Sequence, residues 1–463
     1  MSNFIAYFVS VIATVAASSF LGLTPKQIMV VAGFFSILFG AIFFWRYRLA
    51  FAFLGVGGLL ALRLIDVPHV IEFAGIDIIL FLIGMMIVVG FLEEREFFEH
   101  LVDKLILMVG LNGRKLVLAM LVASFVFAAL VDEVTSILFM LAAMLSIVTR
   151  YKLNPVPFII MIVFATNIGS SATVVGNPVG VIIAMRSGLG FMDFLRWAAP
   201  ISIAALSITI PICFLYFSKA INQLHQAMLS GKGPEVIKEV IAEDTSTKKG
   251  VFVSAALFLC VVLGLVFHSY IEHLFGLTKN TMLLGTALMG AGTALLLSGE
   301  DARSLVEKRV DWWTLSFFLF LFASVGTLKY QGITDVLAEK ILKASGDNLP
   351  LLMSICIWVS GAMTSVMDNV LAVATFIPIV EDIGQLGIPT LPLWWSVLFG
   401  STFLGNLTII GSTANIVAIG ILERRKLGRV GFIEWLKVGA IVSIPTLLLA
   451  HLLLVAQLKW MIR

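Results

Sequence analysis

The chain has little charge: only 13% of its 463 residues are Asp, Glu, Lys or Arg, against 60% hydrophobic. A soluble domain is about one quarter charged, so this composition excludes a cytosolic enzyme, a nucleic-acid binder and a disordered chain. Cysteine is scarce too. Cys213, Cys260 and Cys356 stand far apart in apolar runs; they exclude a disulfide scaffold and give neither zinc nor redox spacing. The six histidines form no ligand spacing, and neither a Walker loop nor His-Glu-x-x-His occurs, so ATP hydrolysis and zinc proteolysis have no basis here. A net charge of +3 implies no polyanionic partner. No basic residue precedes the first apolar run, Met1 to Leu23, which reads as a membrane span and not as a cleaved signal peptide.

Long apolar runs fill most of what remains. A crossing helix needs about 20 apolar residues. Runs of that kind place spans near 4–22, 27–45, 49–66, 74–92, 155–185, 190–218, 250–271, 281–298, 312–328, 392–423 and 432–455. An all-α polytopic membrane protein with about eleven transmembrane helices is expected. Segments 93–113 and 331–347 are charged and amphipathic, which suits helices lying in the interface plane. The polar stretch 219–249, with Gly231, Gly233 and Pro234, reads as a cytoplasmic linker between halves.

A cytoplasmic N-terminus puts 21 of the 31 Lys and Arg on the inner side, among them Arg46, Arg48, Arg95, Lys308 and Arg309. The positive-inside rule therefore predicts a cytoplasmic N-terminus and an external C-terminus in an inner, plasma membrane. The basic clusters are read as orientation signals alone, with none assigned to substrate. Trp45, Trp312, Trp313, Trp394, Trp395 and Trp460 fall at span ends and are read as an interfacial belt.

Slid on itself by 236 positions, the chain repeats. Leu101-Val102-Asp103-Lys104-Leu105 falls on Leu337-Ala338-Glu339-Lys340-Ile341, Gly90 on Gly326 and Asp132 on Asp368. After a one-residue gap, Thr173-Val174-Val175-Gly176 falls on Thr408-Ile409-Ile410-Gly411. The chain thus divides into an extra span 1–26, a first repeat 27–218, the linker 219–249, a second repeat 250–455 and a tail 456–463. An odd number of crossings in each half turns the halves upside down relative to each other. Inverted repeats mark many secondary transporters, whose sites lie near the midplane where the repeats meet.

Two apolar stretches are interrupted at their centres. Residues 116–149 carry Val131-Asp132-Glu133-Val134-Thr135-Ser136, and residues 349–386 carry Met367-Asp368-Asn369-Val370. Each reads as a re-entrant hairpin turning inside the membrane at its Asp, and carboxylates at that depth are functional by default. The span after each hairpin is rich in Gly, Asn, Thr and Pro: Asn167-Ile168-Gly169 through Thr173, Gly176, Asn177 and Pro178 in one, Gly405-Asn406-Leu407-Thr408 through Gly411, Ser412 and Asn415 in the other. Such spans suit discontinuous helices, hinged at Gly169, Gly176, Pro178, Gly405 and Gly411, whose freed carbonyls and amides hold ions.

An acidic hairpin tip followed by Asn-Ile-Gly-x-x-Ala-Thr-x-x-Gly (167–176), repeated as Thr-Ile-Ile-Gly-Ser-x-Ala-Asn (408–415), resembles the ion transporter superfamily. Within it the chain looks most like the branch of arsenite permeases, D-type sodium/proton antiporters and the melanosomal P protein. Divalent-anion/sodium symporters and citrate transporters are more distant members. The resemblance implies a scaffold with a moving transport domain, an elevator-like movement and a homodimer. It places Asp132 and Asp368 at the hairpin tips and Asn369 beside the second, while Glu133 stands where the first repeat usually has Asn. Thr375 and Pro378 fit the second hairpin.

The function expected is a secondary active ion transporter, exchanging Na⁺ or another cation against H⁺, with no cofactor beyond the coupling ion. Asp132, Glu133 and Asp368 would take a cation or a proton in alternation, since burial favours the protonated form of a carboxylate. Thr135, Asn167, Thr173, Asn177, Asn369, Thr375, Asn406, Thr408, Ser412 and Asn415 would supply neutral oxygens, Na⁺ being the one metal ion envisaged. Partners are the bilayer and a small ion or small anion. The rivals are a coupled permease for arsenite or a di- or tricarboxylate, and an ion channel. The absence of Arg or Lys from the expected site favours cation/proton exchange over anion binding.

Overall fold

A computed structural model of the chain describes residues 2–230, 248–346 and 348–462, and every regular element among them is a helix. A backbone in lipid must pair its own N–H and C=O groups, which helices do within one segment. Nine of the described helices are long and apolar enough to cross a membrane, and four shorter apolar ones accompany them.

The first half runs α1 (Ser2–Ser19), α2 (Pro25–Phe43), α3 (Arg48–Ala61), α4 (Val67–Phe73), α5 (Ile76–Glu93), α6 (Phe97–Val109), α7 (Gly113–Leu130), α8 (Glu133–Arg150), α9 (Val156–Gly169) and α10 (Pro178–Ser187). A one-turn helix and a π-helical stretch, Phe194–Ala198, then lead into α11 (Ala199–Tyr216), followed by α12 (Ser218–Leu229). The second half runs α13 (Lys248–Phe275), α14 (Thr281–Ser298), α15 (Ala302–Arg309), α16 (Trp312–Tyr330), α17 (Ile333–Ser345), α18 (Leu349–Thr364), α19 (Asn369–Gln385), α20 (Leu391–Phe403), α21 (Thr413–Arg424) and α22 (Phe432–Met461).

The starts of α16, α17, α18 and α19 lie 236 residues after those of α5, α6, α7 and α8. Those of α20 and α21 lie 235 after α9 and α10. The offset seen in the sequence thus governs six consecutive elements. Caps repeat with it. Asn112 accepts from the amides of Arg114 and Lys115 at the start of α7, and Asn348 from Leu351 at the start of α18. Such side chains satisfy amides that a helix start leaves unpaired.

Each hairpin holds a broken span tightly. A Cβ on Gly169 of α9 would sit 2.3 Å from the Phe125 carbonyl oxygen of α7, and one on Gly400 of α20 would sit 2.3 Å from that of Ile357 in α18. Small residues permit this backbone-to-backbone approach.

Three expectations from the sequence change. The stretch 219–249 is not all linker. α12 occupies its beginning, with Ile221, Leu224 and Met228 buried at helical spacing; residues 231–247 lie outside the described residues. The span expected at 49–66 stops at Ala61, because the chain turns through Arg63 at φ 55° and Asp66 caps the short α4. Trp394 and Trp395 are not interfacial. They belong to α20, the inner broken span, and are 4% and 0% exposed, with Trp395 edge-on to Phe194 at 4.8 Å.

Candidate functional site

The site grows from two breaks. Between α9 and α10, and between α20 and α21, the chain leaves the helix and folds back on itself. A Cβ on Gly176 would lie 2.2 Å from the Ser170 carbonyl oxygen, and one on Gly411 would lie 2.6 Å from that of Gly405. No larger residue fits those turns without displacing backbone. Thr173 Oγ1 donates to the Ala129 carbonyl in the last turns of α7, and Thr408 Oγ1 to the Ser365 carbonyl just past α18, at 2.6 Å. These threonines tie each break to its own hairpin. Pro178 opens α10, where its missing N–H has no helical partner to lose. Asn177 accepts from Gly180 N at 2.8 Å and Ser412 from Ala414 N at 3.1 Å, so both return helices are capped by residues of the break.

The hairpin tips are capped likewise. Asp132 Oδ1 accepts from Val134 N at 2.8 Å and Thr135 N at 3.0 Å; Asp368 Oδ1 accepts from Val370 N at 3.0 Å. Thr413 Oγ1 donates to Asp368 Oδ2 at 2.6 Å, so the second tip also touches the second break.

The tips meet at Glu133, which is 2% exposed. Asn369 Nδ2 donates to Glu133 Oε1 at 3.2 Å, and Ser412 Oγ reaches the same oxygen at 3.4 Å; Ser170 Oγ donates to Oε2 at 3.1 Å. These partners are neutral. Behind them lies an amide cluster. Asn167 Nδ2 donates to Asn406 Oδ1 at 2.7 Å and to Asn415 Oδ1 at 2.8 Å, while Asn415 Nδ2 donates to the Gly405 and Thr408 carbonyls, each at 2.8 Å. Asn177 Nδ2 donates to Ser170 Oγ at 2.8 Å. A buried carboxylate amid hydroxyls and amides can bind a proton, or a hard cation completed by neutral oxygens. Among the described residues, no three His, Cys, Asp or Glu side chains converge as a metal site. A cation here would therefore lean on neutral oxygens.

A cavity of about 390 Å³ leads to this point, lined by Asp132, Glu133, Thr135, Asn177, Asn369 and Thr413 and also by Glu93, Asp311, Lys308 and Arg309. Arg48 lines it too. It is 6% exposed, stacks 4.0 Å from the Trp45 ring centre and donates to Thr314 Oγ1 at 2.6 Å. Its buried Nε has no hydrogen-bond partner among the described residues. The expectation of a site free of Arg and Lys is thus corrected: α3 and α15 turn three basic side chains into the cavity. Arg309 is already paired with Glu93 at 3.0 Å and Glu94 at 3.5 Å.

Most residues singled out in the sequence converge. Glu133, Asn167, Asn177, Asn369, Asn406, Ser412 and Asn415 form one network, Asp132, Asp368 and Thr135 stand at the tips, and Thr173 and Thr408 act as ties. Thr375 does not join them, since its hydroxyl bonds the Leu371 carbonyl of its own helix. Ser170, Thr413 and Arg48 were missed. The first two stand inside the quoted motifs at unassigned positions. Arg48 left no local signal, because charge asymmetry already accounted for it.

The sequence model of a family described as citrate transporter matches residues 37–400 and 286–462. An uncharacterised transporter of Mycobacterium tuberculosis is 32% identical over 384 residues, covering 82% of this chain and 85% of that one. The human P protein is 25% identical over 483 residues, 89% of this chain and 57% of that protein. The solved structure of the YdaH transporter of Alcanivorax borkumensis, described as having an unusual topology, superposes with a TM-score of 0.54 at 14% identity, over 85% of this chain and 87% of that one. That last likeness concerns the fold.

Proposed function

The chain belongs to the citrate transporter family, and from that premise we propose a secondary active transporter that exchanges a cation, Na⁺ first, against protons. The observation that carries this reading is Glu133: a buried carboxylate whose hydrogen-bond partners are all neutral, at the contact between the two hairpin tips. An uncompensated buried charge is costly, so such a group holds either a proton or a cation. Asp132 and Asp368 flank it and keep an acidic environment for the incoming ion. Asn167, Asn369, Ser170 and Ser412 supply neutral oxygens. In this reading the two hairpins and two broken spans form the moving body of a homodimer, and the halves are inverted about the midplane. The N-terminus lies in the cytoplasm of a plasma-membrane protein.

Arg48 favours a second reading, in which a proton-coupled carboxylate anion enters the same cavity and meets the guanidinium above the carboxylates. Purified protein in liposomes loaded with a pH dye separates the two. Cation exchange gives Na⁺-driven proton flux without any carboxylate present, and Arg48→Gln leaves it largely intact. Anion coupling gives proton flux only when citrate or succinate is added, and Arg48→Gln raises its KM. Proton flux with full coupling in Glu133→Gln would overturn both.

A further inference from the structure

A second cavity of about 190 Å³ lies elsewhere on the molecule, lined by α4, α5, α10, α16 and α19. Its lining repeats much of the first. Shifted by the repeat offset of 236 or 235 residues, eight of its thirteen lining positions fall on residues that line the larger cavity. Glu72 corresponds to Lys308, Lys329 to Glu93 and Ala374 to Leu138. Two cavities built from duplicate positions are related by the duplication itself.

They differ in depth. The larger one reaches Glu133 and Asn369, whereas the smaller one reaches no nearer along α19 than Ala374. Five residues of helix separate Ala374 from Asn369, about 7.5 Å of rise. They differ also in what spans them. Lys329 at the end of α16 forms an ion pair with Glu381 of α19, and Arg186 of α10 stands 3.9 Å from Asp77 of α5. Both pairs join α5 or α16 to a helix of a hairpin or broken span. At the larger cavity, Arg309 instead pairs with Glu93 and Glu94 at the end of α5, which leaves α8 and α21 outside that pairing.

We infer that the smaller cavity is the closed second entrance to the Glu133 site, and that the Lys329–Glu381 ion pair is the latch that holds it shut. The inference does not rest on which ion is carried. α19 carries both the hairpin tip and Glu381, so a displacement of α19 away from α16 that opened a path past Ala374 would part Glu381 from Lys329.

The test is thiol labelling of membrane-embedded protein, from one face at a time, in a background with Cys213, Cys260 and Cys356 replaced by alanine. Ala374→Cys reports the smaller cavity and Leu138→Cys the larger. Lys329→Gln or Glu381→Gln should speed labelling at Ala374→Cys about fivefold, the factor a part-exposed ion pair is worth, and slow it at Leu138→Cys. The exchanged pair Lys329→Glu with Glu381→Lys should restore both rates. Unchanged rates, or rates that rise together at both positions, would overturn the latch. Should the Gln variants fold poorly, Lys329→Cys with Glu381→Cys gives a second route: a short bismaleimide should stop transport and protect Ala374→Cys, and continued transport after complete cross-linking would reject it. Labelling requires no substrate, so failure here is distinct from failure of the cation/proton reading.

Discussion

The two hairpin tips are copies that have ceased to be equivalent. Asp132 and Asp368 do the same work, each capping the helix that leaves the turn. The next position differs: Glu133 in the first tip, Asn369 in the second. These two residues are 236 apart, the repeat offset, and they touch. The duplicated position thus meets itself where the halves join, and one of the two copies has become acidic. A contact between like residues would give two equal amides. Here one side donates and the other can hold charge or a proton, and in the proposed mechanism that asymmetry is what would let the pair serve an ion.

Making the tips alike should have the largest effect. Glu133→Asn removes the ionisable group and gives both copies the same residue. We expect coupled transport in liposomes to fall on the order of 100-fold, the scale of losing a hydrogen-bonded buried charge, with folded protein retained on size-exclusion chromatography. Near-normal coupling would make Glu133 a packing residue.

Next come Asp132→Asn and Asp368→Asn. Asn caps helices about as well as Asp, so both variants should fold, lose about tenfold or more in coupled flux and show a flatter pH dependence. The effect should be larger at Asp368, which is the more buried and also accepts from Thr413. Equal, wild-type flux and pH response in both variants would reduce the aspartates to turn residues.

The breaks allow a finer comparison. Gly176→Ala and Gly411→Ala both force a methyl group against a carbonyl, the first more severely. A loss of about 1–3 kcal/mol is expected, read as a lower melting temperature in detergent, with Gly176→Ala the lower of the two. Thr173→Val and Thr408→Val each remove one tie to a hairpin and should cost about 1 kcal/mol. Thr375→Val, away from the network, should change stability by less than ~0.5 kcal/mol.

Much of this was legible in the sequence because the repeat wrote the informative residues twice. Asp132 with Asp368, Thr173 with Thr408 and Gly176 with Gly411 were found by position, and the structure gives each pair the same local duty. Helical span positions followed from apolar runs. What escaped notice acts through partners distant in the chain. In the sequence Arg48 reads as one more basic residue beside Arg46, and only the fold shows Trp45 stacked on it and Thr314 accepting its hydrogen bond. The central place of Glu133 depends on Ser170, Asn369 and Ser412, which come from three other segments. Unlike the two aspartates, Glu133 has no acidic counterpart in the second repeat, and it is the fold that surrounds it with hydrogen-bonding partners. Trp394 and Trp395 misled because their position at a span end resembled an interfacial belt, whereas a broken span is buried from its first turn.

The side-chain bridge from Asn167 to Asn406 and Asn415 has a consequence for local opening. It joins the first break to the second directly, so neither loop can fray without breaking hydrogen bonds held by the other. Amide hydrogens that cap the return helices, Gly180 N on Asn177 and Ala414 N on Ser412, then belong to one cooperative unit although they are 234 residues apart. Their exchange with deuterium would be expected to share a single opening free energy, and a ligand that slows one would slow the other by the same factor.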